Sequence, residues 1–267
     1  MRPLFLASAT APASTRAEMV VGAGIAGFDG VGLRFDLAPP TRGELVELHM
    51  VLADSGLTVL DIEVIRIGSE DRSTTDVLFE AALTLGAKAV LTVSDTPNEI
   101  ETLQRLDELA DKAAAHSLVI ALEFMPFTAI KTLTQALSVV KHLGRHEVMV
   151  LADALHMQRS GSTFGQLSEA ATDVCYLQLC DAPIVSPSGD AQLIEEARFG
   201  RLMPGSGELD LRTFLRSVPQ VPISVEVQSV ELRQSLTPTE LATLAYRTAT
   251  AVTLDSEAEN LVRDDSC

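Results

Sequence analysis

Lys88-Ala-Val-Leu-Thr-Val-Ser94, then Asn98–His116, then Leu118-Val-Ile-Ala-Leu-Glu-Phe124 is the stretch on which the fold turns. Two near-continuous apolar runs of strand length flank a segment in which Leu103, Leu106, Leu109 and Ala110 recur at helical spacing, with acids and bases between them. A strand that is apolar on both faces must be covered on both, and a helix joining two such strands sets them parallel. The same alternation continues in both directions. Leu4–Ser8, Gly30–Phe35, Thr58–Ile67, Lys88–Ser94, Leu118–Phe124, Glu147–Asp153, Val174–Asp181 and Pro222–Gln228 are the strand candidates. Between them, Thr15-x-x-Glu18, Thr41-x-x-Glu44, Thr96-Pro-Asn-Glu99 and Thr237-Pro-Thr-Glu240 read as capping boxes, the last two with Pro at the first helical position.

Eight βα units in about 250 residues are the number and length of a single (β/α)8 TIM barrel of the α/β class. A doubly wound open sheet has fewer strands and a topological switch point. No Gly, Ser or Pro linker interrupts the alternation, so residues 1–253 read as one barrel domain, and 254–267 as a polar, acidic tail that frays or lies on the surface. The longest connection, Ala182–Leu209, has the length of a functional lid.

Composition narrows the function. The 267 residues carry 20 Lys+Arg against 37 Asp+Glu, a net charge of −17, and no basic cluster, which opposes nucleic acid and anionic membrane as partners. No apolar run approaches the roughly 20 residues of a bilayer span. Met1-Arg-Pro-Leu-Phe-Leu-Ala-Ser8 has one basic residue and too short an apolar stretch for a secretory signal. Cys175, Cys180 and Cys267 form no CxxC pair, so a reducing cytoplasm is expected, with Cys175 and Cys180 as buried fillers and Cys180 on the pocket side of its strand. Gly22-Ala-Gly24-Ile-Ala-Gly27 matches the dinucleotide string, but a capped helix precedes it and a strand follows, the reverse of what phosphate binding needs. It reads as a helix end turning into the second strand.

Polar residues that interrupt apolar strands carry the chemistry. Glu123, Asp153, Gln178 and Glu226 each stand near the C-terminal end of one of the last four strands. In a barrel they converge where barrel enzymes keep their active sites. Three carboxylates gathered there need a counter-charge. An all-oxygen set without thiolate or imidazole suits Mn2+ or Mg2+ ahead of Zn2+ or Co2+. The alternative is an ion-pair network with Arg34, Arg66 or Arg201. His156, three residues after Asp153 in the expected loop, is a candidate general acid/base, and Glu63, on the same face as Asp61 and Ile65, is a candidate outer acid. Arg34, Arg66, Arg198 and Arg201 are candidates for holding a substrate carboxylate, phosphate or alkoxide.

Ala26-Gly-Phe-Asp-Gly-Val-Gly-Leu-Arg34, Ile120-Ala-Leu-Glu-Phe124, Leu151-Ala-Asp-Ala-Leu-His156, Tyr176-Leu-Gln-Leu-Cys-Asp181, Arg201-Leu-Met-Pro-Gly-Ser-Gly-Glu-Leu-Asp210 and Ile223-Ser-Val-Glu-Val227, in that order, resemble the xylose isomerase-like TIM-barrel superfamily of sugar phosphate isomerases and epimerases. The resemblance implies a metal held by Glu123, Asp153, Gln178 and Glu226, with Gln178 where the family usually has His. It also implies that Arg201 contacts a small-molecule substrate and that His156 faces the pocket. Family members often form dimers or tetramers, so a homo-oligomer is an expectation. Arg34, Glu63 and Arg66 are the further substrate-binding candidates read from the residues themselves. The expected activity is a divalent-metal isomerase or epimerase of a small polyhydroxy carbonyl compound, with Glu123 and Glu226 moving protons and His156 assisting. Gln178 resembles the dehydratase branches, such as 3-dehydroshikimate dehydratase, which makes a lyase the alternative. A non-catalytic metal- or ligand-binding barrel is the remaining one. The three-zinc, DNA-cutting branch needs more His ligands than this chain has.

Overall fold

All eight apolar runs form strands, and they pair in chain order. These are β1 (Leu4–Leu6), β2 (Gly30–Arg34), β3 (Thr58–Ile67), β4 (Ala89–Ser94), β5 (Val119–Glu123), β6 (Val148–Asp153), β7 (Val174–Leu179) and β8 (Ile223–Val225). Every pairing is parallel, and β1 pairs with β8 to close the barrel. The structure, a computed structural model, describes residues 2–12, 15–69 and 71–264. The helices are α1 (Arg16–Ala26), α2 (Arg42–Ser55), α3 (Arg72–Leu85), α4 (Glu99–Ala114), α5 (Leu133–Leu143), α6 (Ala154–Arg159), α7 (Phe164–Glu169), α8 (Asp190–Phe199), α9 (Leu211–Ser217), α10 (Val230–Ser235) and α11 (Pro238–Asp264). The fold is a single (β/α)8 barrel. Among the described residues, no helix is long and apolar enough to cross a membrane.

Local chemistry sets most boundaries. Thr15 and Glu18 cap α1 reciprocally, and Thr237 and Glu240 do the same for α11. Gly27 ends α1 at φ 101°, so the Gly22–Gly27 string is a helix terminus leading into β2. Two expected caps differ. Thr41 caps α2, but Glu44 turns away to Arg16 at 2.6 Å. The Thr96 cap moves two residues on to Asn98, whose side chain accepts from Glu101 N, while Thr96 Oγ1 donates to Glu101. The last helix passes through the expected boundary at residue 253. No Gly or Pro follows Pro238, and α11 runs unbroken to Asp264, with Thr253 and Ser256 buried. Residues 265–267, Cys267 included, lie outside the described residues.

Side chains alternate between two cores. Leu4, Leu6, Leu33, Ile120, Val150 and Val225 face the helices, and Phe5, Leu60, Leu91, Leu151 and Tyr176 fill the barrel. β3 breaks the alternation twice. Val31 pairs with Val59 and Leu33 with Ile62, then Ile62 pairs with Val90 and Ile65 with Thr92, so each interval holds one extra β3 residue. Leu60 with Asp61, and Glu63 with Val64, therefore both turn inward. Ile65 joins the outer core with Ile62 and Ile67, which corrects the expectation that it shares a face with Asp61 and Glu63. Gly32 makes room for the first inward pair, since a Cβ there would lie 2.3 Å from Asp61 Oδ1.

Asp61 is fully buried and accepts a hydrogen bond from Tyr176 Oη. Burial raises its carboxyl from 3.8 to about 6. The folded chain holds this proton more tightly than the unfolded one. The resulting stability is complete below pH 3.8 and is lost as pH rises through about 6. At 1.36 kcal/mol per unit the loss is about 3 kcal/mol. Asp61→Asn keeps an acceptor for Tyr176 and removes the buried charge. We expect urea unfolding at pH 7 to give a stability higher by about 1–3 kcal/mol than the parent, with a flatter pH dependence between about 4 and 6.

Candidate active site

The C-terminal ends of the strands open into a cavity of about 430 Å3, large enough for a monosaccharide or cyclitol. Glu63, Glu123, His156, Arg201 and Glu226 line its floor, and Arg34, Arg66, Arg198 and Arg233 line its walls and mouth. Asp153 and Gln178 are buried behind that floor and are lateral neighbours across the β6–β7 ladder. Glu226 lies one residue past β8, where its N–H continues the ladder to Leu179 O at 3.0 Å. All four candidate ligands thus stand at one end of the barrel. His156 lies in the first turn of α6 and not in a loop, because Asp153 caps that helix through Oδ1, 2.9 Å from His156 N.

Arg201 organises the acids. It is 2% exposed, with its guanidinium 2.6 Å from Asp153 Oδ2 and 3.1 Å from Glu226 Oε2. Nε donates to Ala197 O at 2.8 Å, and Nη1 lies 3.2 Å from Cys180 Sγ. Cys180 is buried beneath Arg201, in the core and not in the cavity wall. His156 Nε2 stands 3.5 Å from Arg201 Nη2 and 3.7 Å from Glu123 Oε1, and its ring meets Phe127 edge-on at 5.6 Å. Glu63 accepts from Ser8 Oγ at 3.2 Å, and Glu226 from Gln228 Nε2 at 3.2 Å.

Burial sets the protonation pattern. It lifts Glu123 and Glu63 well above the ordinary carboxylate range, reinforced by neighbouring carboxylates, and it lifts Glu226 against the pull of Arg201. Burial pushes Asp153 up as well, but Arg201 and His156 override it and hold that carboxyl low. His156 falls to about 4, chiefly by burial, and is neutral at physiological pH. The site therefore pairs an ionised Asp153 with carboxyls that retain protons readily.

The donor chemistry fits a hard cation. Gln178 Oε1 and Glu63 Oε1 are buried without a hydrogen-bond partner. Four carboxyl groups (Glu63, Glu123, Asp153 and Glu226) stand at this end of the barrel, and the fully buried guanidinium of Arg201 pairs with two of them, Asp153 and Glu226. The arrangement is that of an arginine-bridged cluster, however. Among the described residues, no three His, Cys, Asp or Glu side chains close into a ligand set. Arg201 holds two of the four expected ligands.

The remaining candidates stand at the rim. Arg34 makes a two-pronged pair with Asp36 at 2.7 and 2.9 Å, and Arg66 one with Asp95 at 2.9 and 3.0 Å. The connection after β7 is no open lid. It contains α8, and Asp181 pins its far end by accepting from Gly205, Gly207 and Leu209 N–H groups at 2.9–3.1 Å. Gly207 is required there, since a Cβ would sit 2.5 Å from Asp181 Oδ1. Arg233, Gln228, Ser8 and the Asp61–Tyr176 pair escaped the sequence reading. Only Asp61, a charge inside an apolar strand, left a signal that could have found it.

Residues 23–246 match the model of the xylose isomerase-like TIM barrel family. The chain belongs to that family. An inosose isomerase of Bacillus velezensis is 30% identical over 189 residues, covering 66% of this chain and 65% of the relative. A second, of Bacillus licheniformis, is 30% identical over 133 residues, covering 49% and 46%. The chain thus matches less than two thirds of the length of these relatives. The crystal structure of the IolI protein with a bound zinc atom superposes with a TM-score of 0.81 at 22% identity, over 96% of this chain and 99% of that one. L-ribulose 3-epimerase gives 0.75 at 17%, over 98% of both. At these identities the structural likeness establishes the fold.

Removing one partner of a buried ion pair leaves an uncompensated charge, which costs about 3–5 kcal/mol. We expect Arg201→Met to lower stability at pH 7 by that order in urea unfolding. Because Glu226 and Glu123 bind protons more readily when folded, part of the loss should return as the pH is lowered. A loss below about 0.5 kcal/mol, the range of ordinary surface changes, would show that Arg201 is not the counter-charge of this cluster.

Proposed function

We propose that this protein is a divalent-metal-dependent isomerase or epimerase of a small polyhydroxy carbonyl compound, a sugar or cyclitol, acting by proton abstraction beside the carbonyl through an enediolate. One observation carries the reading: Glu123, Asp153, His156, Gln178, Arg201 and Glu226 gather at one end of the barrel, on and behind the floor of a single cavity. The relatives named inosose isomerase and the epimerase fold neighbours support the reaction class.

The residues to hold the cation are Glu123, Asp153, Gln178 and Glu226, an oxygen set suited to Mn2+ or Mg2+. When bound, the cation polarises the substrate carbonyl and acidifies the neighbouring C–H. Glu226 and Glu123 are the proton-transfer groups. Both stand on the cavity floor, within reach of a substrate C–H. Arg201, charged and beside Glu226, stabilises negative charge developing on the substrate. Neutral His156 offers Nε2 as a hydrogen-bonding group next to Glu123. Glu63, Arg34 and Arg66 bind substrate hydroxyls and oxyanions from the other side of the cavity. A dehydratase is the second reading, favoured by Gln178: after the same proton abstraction, a carboxyl that keeps its proton hands it to a departing β-hydroxyl.

Purified protein should contain about one Mn2+ or Mg2+ per chain, and chelation should abolish turnover. With keto-sugars or keto-cyclitols in D2O, deuterium should enter the carbon next to the carbonyl, while loss of 18 mass units would select the dehydratase. Glu226→Gln should lower turnover by about 10^2–10^4-fold with an unchanged circular dichroism spectrum. Undiminished exchange in that variant would remove Glu226 from the proton-transfer step.

A further inference from the structure

The cavity gathers positive charge that the proton-transfer chemistry does not need. In a chain of net charge −17 with only 20 Lys+Arg, five arginines and no lysine line it: Arg34, Arg66, Arg198, Arg201 and Arg233. Three have carboxylates. Arg34 pairs with Asp36, Arg66 with Asp95, and Arg201 with Asp153 and Glu226. Among the described residues, Arg198 and Arg233 have no carboxylate within ion-pair distance.

Two chain segments carry these two arginines to the mouth. Gly200 forms an antiparallel bridge with Ser229, and Arg201 N donates to Gln228 O at 3.1 Å, so the end of α8 is fastened to the start of α10. Arg198 is exposed in the last turn of α8. Arg233 is half-buried in α10. One of its amino groups donates to Ala9 O, but its Nε is buried with no partner. Burial pulls its guanidinium below the usual value, with Glu226 opposing. Arg233 also lines an adjoining cavity of about 530 Å3 that shares Arg34, Leu37 and Gln228 with the first, so there is room beside it for more than the reacting end of a substrate.

A half-buried guanidinium with an unmet donor is an incomplete interaction, and an oxyanion completes it. Arginine presents a planar fork that matches carboxylate and phosphate oxygens, whereas a neutral hydroxyl gains little from it. A strongly negative protein also repels an anionic substrate unless the entrance is locally positive. We propose that the substrate carries an anionic group, a carboxylate or a phosphate monoester, seated on Arg233 and Arg198 while its polyhydroxy carbonyl end reaches the floor of the cavity. The proposal rests on the reading of this cavity as the active site, and it narrows the substrate class.

Three probes of like carbon skeleton test it by calorimetric titration: glucitol, gluconate and glucitol 6-phosphate. Gluconate or glucitol 6-phosphate should bind at least ten times more tightly than glucitol. Arg233→Gln and Arg198→Gln should each weaken that anion at least fivefold, with glucitol moving less than twofold. Arg198 is exposed, so its variant tests the site without endangering the fold, and melting temperature checks both. Preference for gluconate identifies a carboxylate, and preference for the phosphate identifies a phosphate ester. Equal affinity for the three probes, no detectable binding of either anion, or anion affinity unchanged in both variants overturns the proposal. Anion discrimination that persists while Glu226→Gln leaves deuterium exchange intact would keep this subsite and remove the proton-transfer reading, so the two fail separately.

Discussion

A guanidinium buried between two carboxylates is the interaction on which this site depends. Asp153, Glu123 and Glu226 are carried into the barrel by backbone positions that the parallel ladder fixes, so they cannot retreat to water. Burial first, and neighbouring like charges second, raise the proton affinity of Glu123 and Glu226. Arg201 resolves part of that conflict unevenly: Asp153 stays ionised, while Glu123 and Glu226 retain their protons more readily. Asp153 uses its second oxygen to cap α6, which sets His156 beside Arg201 and Glu123. One carboxylate thereby positions both the permanent cation and the neutral imidazole.

The barrel can hold so many polar groups because its strands are not regular. The two extra residues of β3 turn Asp61 and Glu63 inward with their apolar neighbours, and glycine at position 32 leaves the volume they need. Beneath the acids, Tyr176 donates to one oxygen of Asp61 across the barrel, and below them the interior is apolar. Polarity therefore rises toward the mouth. From solvent inward the cavity presents arginines first, then the acids, with the hydrophobic filling behind them.

What was legible in the sequence follows from what leaves a periodic trace. Eight strands were readable because burial on both faces demands unbroken apolar runs, and four strand-end polar residues stood out against that background. Caps were readable where a single box governs the helix start, as at Thr15, and shifted where two capping residues compete, as Asn98 does with Thr96. The facing of Ile65 was misread because a bulge reverses parity without changing composition. The polarity of residues 254–264 hid their helical state, since nothing after Pro238 breaks a helix. The bridge between Arg201 and Asp153, 48 residues apart, was only one pairing among several open to the rim arginines. Arg233, on a short polar helix, left no pattern at all.

The same geometry explains why reaction class is easier to read than reaction outcome. The proposed removal of a proton beside a carbonyl needs a base and positive charge near the oxygen, and the strand ends hold carboxyl groups and Arg201 side by side for both. Whether the proton returns to the same carbon, to its neighbour, or leaves with a hydroxyl depends on which substrate atom faces Glu123, Glu226 or Glu63. That orientation is set by groups farther out, on α8, α10 and the ends of β2 and β3. On the proposed reading, the floor of this site would supply the proton transfer common to isomerisation, epimerisation and dehydration, and the arginine rim would decide how the substrate lies.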